Sequence, residues 1–322
     1  MKIIKQYSNI KYDPNKNIYS VSKIGNNFIT KGPLNVGLQI TRFCNFRCIY
    51  CSESAKYTNR LNIIDDPTLN NINIMVKNLK NAGVFRINLT GGEPLLRKDL
   101  VDIVNLIYDN GIFVGICSNL SLLSEKLAKS IRDKILYFEV SLDGLPCKQK
   151  ENGRIWNGSF LDRLAILRNN NIPIRIASVL NFINYDVAMN NINYIINIGK
   201  KFDVLSIKFM GIGDKGRGLA LSKRNNSNKI IPLIYNHIKK LKDNDSFLRI
   251  DMIFSKVCDY HEGKFVLIHP DGKMVGTPFF KNESKNYIIG NILTESIVNI
   301  WSTYPFINNH IRRYIGESQI IF

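Results

Sequence analysis

Short apolar runs rich in β-branched residues alternate with longer amphipathic stretches through the first two thirds of the chain. Six runs read as strands, over 34–41, 85–89, 112–118, 136–142, 174–179 and 204–210. Between them, apolar positions recur at helical spacing over 68–81, 99–110, 124–132, 160–170 and 184–200. Turn signals such as Asn81-Ala82-Gly83 and Asn110-Gly111 separate helix from strand. This rhythm requires crossovers of one hand and a parallel sheet or barrel. Six units predict an α/β fold with a partial (β/α)6 barrel over 34–211, because a closed eightfold barrel typically needs about 250 residues.

The pattern changes after Met210. Residues 211–228 lack periodicity and read as a loop or junction, and 230–243 then reads as a helix. Two short strands over 265–269 and 273–277 are joined by Pro270-Asp271-Gly272, a strong turn signal, and 296–308 has the pattern of a closing helix. The expected organisation is an N-terminal segment (1–33), a barrel (34–211) and a small α+β extension (212–322).

Composition narrows the class. Hydrophobic residues make up 45% and charged residues 22%, which excludes a collagenous or largely disordered chain. No apolar stretch reaches the roughly 18 residues of a membrane helix, and the first residues have no secretory apolar region, so the cytosol is the expected compartment and no membrane partner is expected. The formal charge is +18, from 44 basic and 26 acidic residues. The lysines form no block and run with abundant Asn and Ile, so the charge reads as compositional bias, and nucleic acid is not the expected partner. Four histidines, His237, His261, His269 and His310, show no ligand spacing and read as surface or packing residues.

Three of the six cysteines, Cys44, Cys48 and Cys51, lie in the loop after the first strand. In a chain without an export signal such a group points to metal rather than disulfide. A cubane iron–sulfur cluster takes four thiolates, so three would leave one iron open for a ligand. A zinc site completed by a distant Cys or His, or three unrelated cysteines, are the other readings of the spacing.

The rest of the sequence carries a family resemblance. The Cys44–Cys51 spacing, Tyr50 before the third cysteine, and Gly91-Gly92-Glu93-Pro94 at the end of the second strand resemble the radical S-adenosylmethionine (SAM) enzymes. Ser118-Asn119, Ser141-Leu142-Asp143-Gly144 and Arg154 continue the likeness down the barrel. The resemblance implies one [4Fe–4S] cluster on Cys44, Cys48 and Cys51, and SAM as cofactor. It also implies reductive cleavage of SAM to a 5′-deoxyadenosyl radical that takes hydrogen from a substrate. Tyr50, Gly91, Gly92, Glu93, Ser118, Asn119, Ser141, Asp143 and Arg154 are the implied cofactor-binding residues, with Glu93 facing the methionine ammonium. An electron donor such as flavodoxin or ferredoxin is the implied partner.

Past the barrel, Ile268-His269-Pro270-Asp271-Gly272, Ile289-Gly290-Asn291 and the junction Gly216-Arg217-Gly218 resemble a SPASM or twitch extension. Thr277 stands where such extensions place a cysteine, so the extension reads as degenerate and one cluster is expected. Among the remaining cysteines, Cys117, Cys147 and Cys258, buried packing is the ordinary role, and Cys258 is the candidate hydrogen donor. The expected substrate is a ribosomally made precursor peptide, with a small molecule of natural-product or cofactor synthesis as the alternative.

Overall fold

The computed structural model describes residues 2–3, 10–13, 18–21, 32–33, 35–58, 66–155, 159–182, 184–213, 215–224, 227–244, 250–253, 266–276, 288–303 and 319–321. Cys258, Thr277, Gly158, His261 and His310 lie outside them.

The six expected strands are present as Asn35–Thr41 (β1), Arg86–Gly91 (β2), Phe113–Ser118 (β3), Ile135–Ser141 (β4), Ile174–Val179 (β5) and Ser206–Met210 (β6). They pair in chain order and all in parallel. The crossovers carry Leu69–Asn81 (α1), Leu100–Asp109 (α2), Glu125–Ile131 (α3), Pro146–Glu151 (α4), Phe160–Asn169 (α5) and Tyr185–Lys201 (α6). Side-chain caps fix three of the helix starts. Thr68 accepts from Asn71 N at 3.1 Å, Ser124 from Leu127 N at 3.2 Å, and Asn184 from Asp186 N at 2.9 Å.

Because the strand order never reverses, crossovers of one hand put every helix on one face of the sheet. Side chains alternate along a strand, so each strand divides between two environments. Val36, Leu38 and Ile40 of β1 are fully buried in one apolar core with Ile72, Met75 and Leu79 of α1. Asn35, Gln39 and Thr41, between them, point to the helix-free face and are buried polar residues. The polar face is where chemistry can be placed.

The expected α+β extension joins the barrel sheet at both edges. Ile250–Ile253 (β7) pairs in parallel with β6, and Val266–Ile268 (β8) pairs in parallel with β1. Lys273–Val275 (β9) and Ile288–Asn291 (β10) follow antiparallel. The result is one ten-stranded sheet, β7-β6-β5-β4-β3-β2-β1-β8-β9-β10. The physical reason is the sheet edge: β1 would present a row of unpaired backbone groups on its outer side, and β8 pairs them. Ile297–Ser302 (α9) buries Ile297, Ile300 and Trp301 in the same core. Asn78 of α1 fixes that join, donating to Ile292 O at 3.0 Å and accepting from Ile297 N at 3.1 Å.

Two other expectations change. Residues 211–228 are not all loop: Gly218–Arg224 (α7) is helical and Ser227–Asn244 (α8) has begun, since Leu219-Ala220-Leu221 are strong helix formers among the turn residues. The N-terminal segment contributes Lys2–Ile3, Ile10–Asp13 and Ile18–Val21 to a small antiparallel sheet completed by Gln319–Ile321. Among the described residues no helix is long and apolar enough to cross a membrane.

The core assignment yields a paired expectation. Leu38→Ala should lower unfolding free energy by roughly 2–5 kcal/mol in urea denaturation. Ile74→Ala, on the exposed side of α1 at 42% exposure, should stay within about 0.5 kcal/mol of the parent.

Candidate active site

The cysteines lie just past the end of β1. Phe43–Cys44 pairs in parallel with Lys56–Tyr57, and Thr58 N donates to Cys44 O at 2.9 Å, closing the segment into a loop. Cys44 is buried with Phe46 and Ala55, and Cys48 and Cys51 pack against that group, so the three sulfur-bearing side chains share one cluster. Burial pushes the Cys44 thiol up to about 12, with the Glu93 charge adding to it, and burial raises Cys48 as well. No group of His, Cys, Asp or Glu among the described residues has the convergent geometry of a single-ion site. A cubane distributes its thiolates one per iron and does not require them to converge, so the soft, partly desolvated donor set fits a cluster better than a zinc ion.

Such a loop leaves many backbone groups without partners of its own, and neighbouring elements supply them. Arg217, in the junction before α7, donates Nε to Cys48 O at 2.8 Å, Nη1 to Ala55 O at 3.0 Å and its backbone N to Cys51 O at 2.9 Å. Gly216 beside it has φ +58°, and a Cβ there would lie 2.3 Å from Ser52 O. From the other side, Arg47 N and Ile49 N donate to Gly153 O and Asn152 O. Sequence reasoning registered the Gly-Arg-Gly junction but did not place Arg217 at the site.

Gly91 and Gly92 serve a close approach, but of backbone to backbone. Gly92 N donates to Thr41 O at 2.9 Å and Glu93 N to Phe43 O at 2.8 Å. Glu93 is 1% exposed. Its Oε1 accepts from Ser118 Oγ at 2.7 Å and Leu95 N at 3.0 Å, and its Oε2 from Asn119 N at 2.7 Å. Burial raises its pKa against these hydrogen bonds. A carboxylate offers about four acceptor directions, which leaves room for one further donor. Asn119 Nδ2 donates to Asn45 Oδ1 at 2.9 Å and lies 3.9 Å from Cys44 Sγ, so β3 also reaches the cysteine loop.

Tyr50, Asp143 and Arg154 form a second buried group. Tyr50 Oη donates to Asp143 Oδ2, Arg154 Nε donates to Tyr50 Oη at 2.8 Å, and Arg154 Nε pairs with Asp143 Oδ2 at 3.0 Å. Asp143 Oδ1 accepts from Val179 N at 3.0 Å. Burial raises the Tyr50 pKa; it opposes the Arg154 charge, yet Tyr50 and Asp143 raise the Arg154 pKa well above its ordinary value. The three expected cofactor residues thus bind one another, anchoring the cysteine loop to β4 and β5. Ser141 ends β4 on the helix-free face, in register with Ala177.

That face carries charge the sequence did not reveal. Glu139 pairs with Lys208 at 2.7 Å, Arg175 lies 4.8 Å over the Tyr137 ring, and Cys117 Sγ stands 3.9 Å from Glu139 Oε1. Burial, helped by Glu139, pushes the Cys117 thiol up to about 12. Cys147 is exposed on α4. A cavity of about 340 Å³ opens between β1, the cysteine loop, Gly91-Gly92 and the turn after β8, with Gln39, Glu53 and His269 in its wall. His269, expected as a surface or packing residue, lines this cavity.

The tight approach at Gly92 generates a prediction. An added Cβ would sit 1.9 Å from Phe43 O, a backbone atom that cannot rotate away. Gly92→Ala should cost about 2 kcal/mol or more in denaturant melts and displace the cysteine loop. Wild-type stability in that variant would show that the two loops are not locked together.

Comparison with known proteins gives concordant results. Residues 38–189 match the family described as Radical SAM superfamily. An uncharacterized Methanocaldococcus jannaschii protein, MJ0907, is 33% identical over 183 residues, 53% of this chain and 62% of its own length. A GTP 3′,8-cyclase of Pasteurella multocida is 35% identical over 113 residues, 34% of this chain and 33% of the cyclase. The chain thus spans less than two thirds of the length of these curated relatives. Among solved structures, Streptococcus suis SuiB bound to its precursor peptide SuiA superposes with a TM-score of 0.64 at 12% identity, covering 87% of this chain and 67% of SuiB. SuiB bound to S-adenosylmethionine gives 0.62 at 14% identity, covering 87% and 68%. The family uses a [4Fe–4S] cluster and S-adenosylmethionine. Residues 38–189 of this chain are a Radical SAM superfamily domain.

Proposed function

We propose that this chain is a radical SAM enzyme in which Cys44, Cys48 and Cys51 hold the one cluster. With an electron from a donor such as flavodoxin or ferredoxin, the bound cluster and cofactor supply a 5′-deoxyadenosyl radical that takes hydrogen from a substrate. The observation that carries this reading is the clustering of three cysteines in one loop, braced by the 217 junction, with the buried Glu93 carboxylate near enough for its charge to act on Cys44.

The chain's own residues have separable tasks. Glu93 meets the ammonium of the cofactor's methionine with its remaining acceptor direction, while Ser118 and Asn119 hold that carboxylate in place. Tyr50, Asp143 and Arg154 keep the loop's far side rigid rather than touching cofactor through the atoms they use on one another. Ser141, on the helix-free face, is left to meet the ribose. The degenerate SPASM or twitch reading is part of this proposal: the described extension acts as a wall of the site, and no auxiliary cluster is expected. A cytosolic location suits the free cysteines and the reductive chemistry.

For the substrate, the polar cavity of about 340 Å³ supports a small anionic molecule, since such a volume is typical of small-ligand sites. The name of the related GTP 3′,8-cyclase fits that class. A precursor peptide is the second reading, supported by the frame shared with peptide-bound SuiB.

Two measurements test the proposal. Anaerobically reconstituted protein should hold about four irons and four sulfides, as a cubane requires, and the triple change of Cys44, Cys48 and Cys51 to Ala should abolish them. Iron retained near that level would place a cluster elsewhere. Glu93→Gln should weaken SAM binding by about tenfold while iron content persists, because its amide cannot match both donors and an ammonium. Unchanged affinity would remove Glu93 from that role.

A further inference from the structure

The cavity beside the cysteine loop contains a chain of hydrogen bonds that fixes one atom of His269. Glu53 accepts on both oxygens, from Gln39 Nε2 at 2.7 Å and from Lys215 Nζ at 3.3 Å. A carboxylate has no hydrogen to give, so the Gln39 amide must turn its NH2 toward Glu53 and its Oε1 toward His269. His269 Nδ1 lies 2.8 Å from that Oε1 and must carry the ring hydrogen. The other ring nitrogen, Nε2, is then a bare acceptor, and no described protein group bonds to it.

Burial favours the neutral ring. Burial lowers its pKa; Glu53 and Asp271 act to raise it, and Lys215 and Arg42 to lower it, with a net lowering. A neutral imidazole oriented by an amide and a carboxylate is a built acceptor. The same cavity is lined by Arg42, Lys56 and Lys273. Asp271 is shared between Arg42 at 3.0 Å and Lys273 at 3.1 Å, so one acid serves two of the three cations.

We propose that this cavity is a substrate site in which His269 Nε2 accepts a hydrogen bond from an N–H or O–H of a small oxyanionic molecule, a phosphate or carboxylate compound, whose charge is met by Arg42, Lys56 and Lys273. His269 is then a specificity-determining residue and Gln39 the residue that positions it. Calling the ligand a substrate rests on the radical SAM reading; the binding chemistry does not. An analogue lacking the donor would leave Nε2 facing an empty or apolar partner and lose affinity.

The test uses the full chain, prepared anaerobically at low salt, with three calorimetric probes. UTP carries phosphate and donors, citrate carries carboxylates and a hydroxyl, and inorganic pyrophosphate carries charge without a carbon-bound donor. UTP or citrate should bind with a Kd below about 1 mM, and the tighter of the two identifies phosphate or carboxylate as the source. His269→Phe should weaken that ligand about tenfold and pyrophosphate less than twofold, whereas Lys56→Glu should weaken every probe that binds. His269→Gln, which can return an acceptor near the Nε2 position, should recover most of the loss and controls for misfolding of the Phe variant. Nitrogen-15 NMR of the wild-type imidazole should find the hydrogen on Nδ1.

Three results would each overturn the proposal: neither UTP nor citrate binding, His269→Phe binding within twofold of wild type, or a hydrogen found on Nε2. Iron content and SAM cleavage are read in the same samples. Probe binding without SAM cleavage sinks the enzyme reading and leaves the cavity standing; cleavage without probe binding does the reverse.

Discussion

A loop that carries three thiols within eight residues cannot satisfy its own backbone, and the rest of the site is organised around that deficit. Buried amides and carbonyls need partners. Here they come from three separate crossovers: the turn after β2, the turn after α4 and the junction before α7. The first and last directly follow parallel strands and the second follows the short helix after β4, where a singly wound sheet gathers its connections. Parallel topology is therefore the reason that residues 48, 93, 153 and 217 can meet at all. The same convergence explains why glycine recurs there, since at Gly92 and Gly216 the backbone of the cysteine loop occupies the space of a side chain.

Charge is placed by the same logic. Glu93 and Asp143 are both almost fully buried, but their burial is compensated differently. Asp143 has a guanidinium at 3.0 Å and a tyrosine hydroxyl, so its neighbourhood is complete without a ligand. Removing Arg154 would strand a buried anion, which in proteins is typically among the more costly losses. Glu93 has neutral donors only, two backbone amides and a hydroxyl. A buried carboxylate without a cation is the more receptive of the two to an ammonium group. Residues that look alike as motif members thus differ in how their burial is compensated.

The strand–helix alternation was legible because each element is amphipathic at its own period, and all six parallel strands stand where the pattern put them. That Cys44, Cys48 and Cys51 lie together was legible from their spacing, since a local loop keeps sequence neighbours together in space. What the sequence did not reveal depends on pairing between distant segments. Nothing in the 266–268 stretch says that it will pair with β1 over 200 residues away, so the sequence read as a small α+β extension whose attachment to the sheet stayed undefined. The Glu139–Lys208 pair and the Gln39–His269 contact are invisible for the same reason. Helix α7 was missed because glycines closely precede its short apolar triplet. Cys258 and Thr277 lie outside the described residues, so the hydrogen-donor and lost-cysteine readings rest where the sequence left them.

The pairing of β8 with β1 joins fold to function. Backbone pairing places Ile268 beside Leu38, and the next residue of each strand, His269 and Gln39, turns to the helix-free face. An edge that had to be covered for structural reasons thereby delivers an imidazole to the mouth of the site. The Pro270-Asp271-Gly272 turn then reverses the chain and sets Asp271 against Arg42, the residue two before Cys44. The extension is thus coupled to the cysteine loop by a register, and a one-residue slip in β8 would turn His269 into the apolar core.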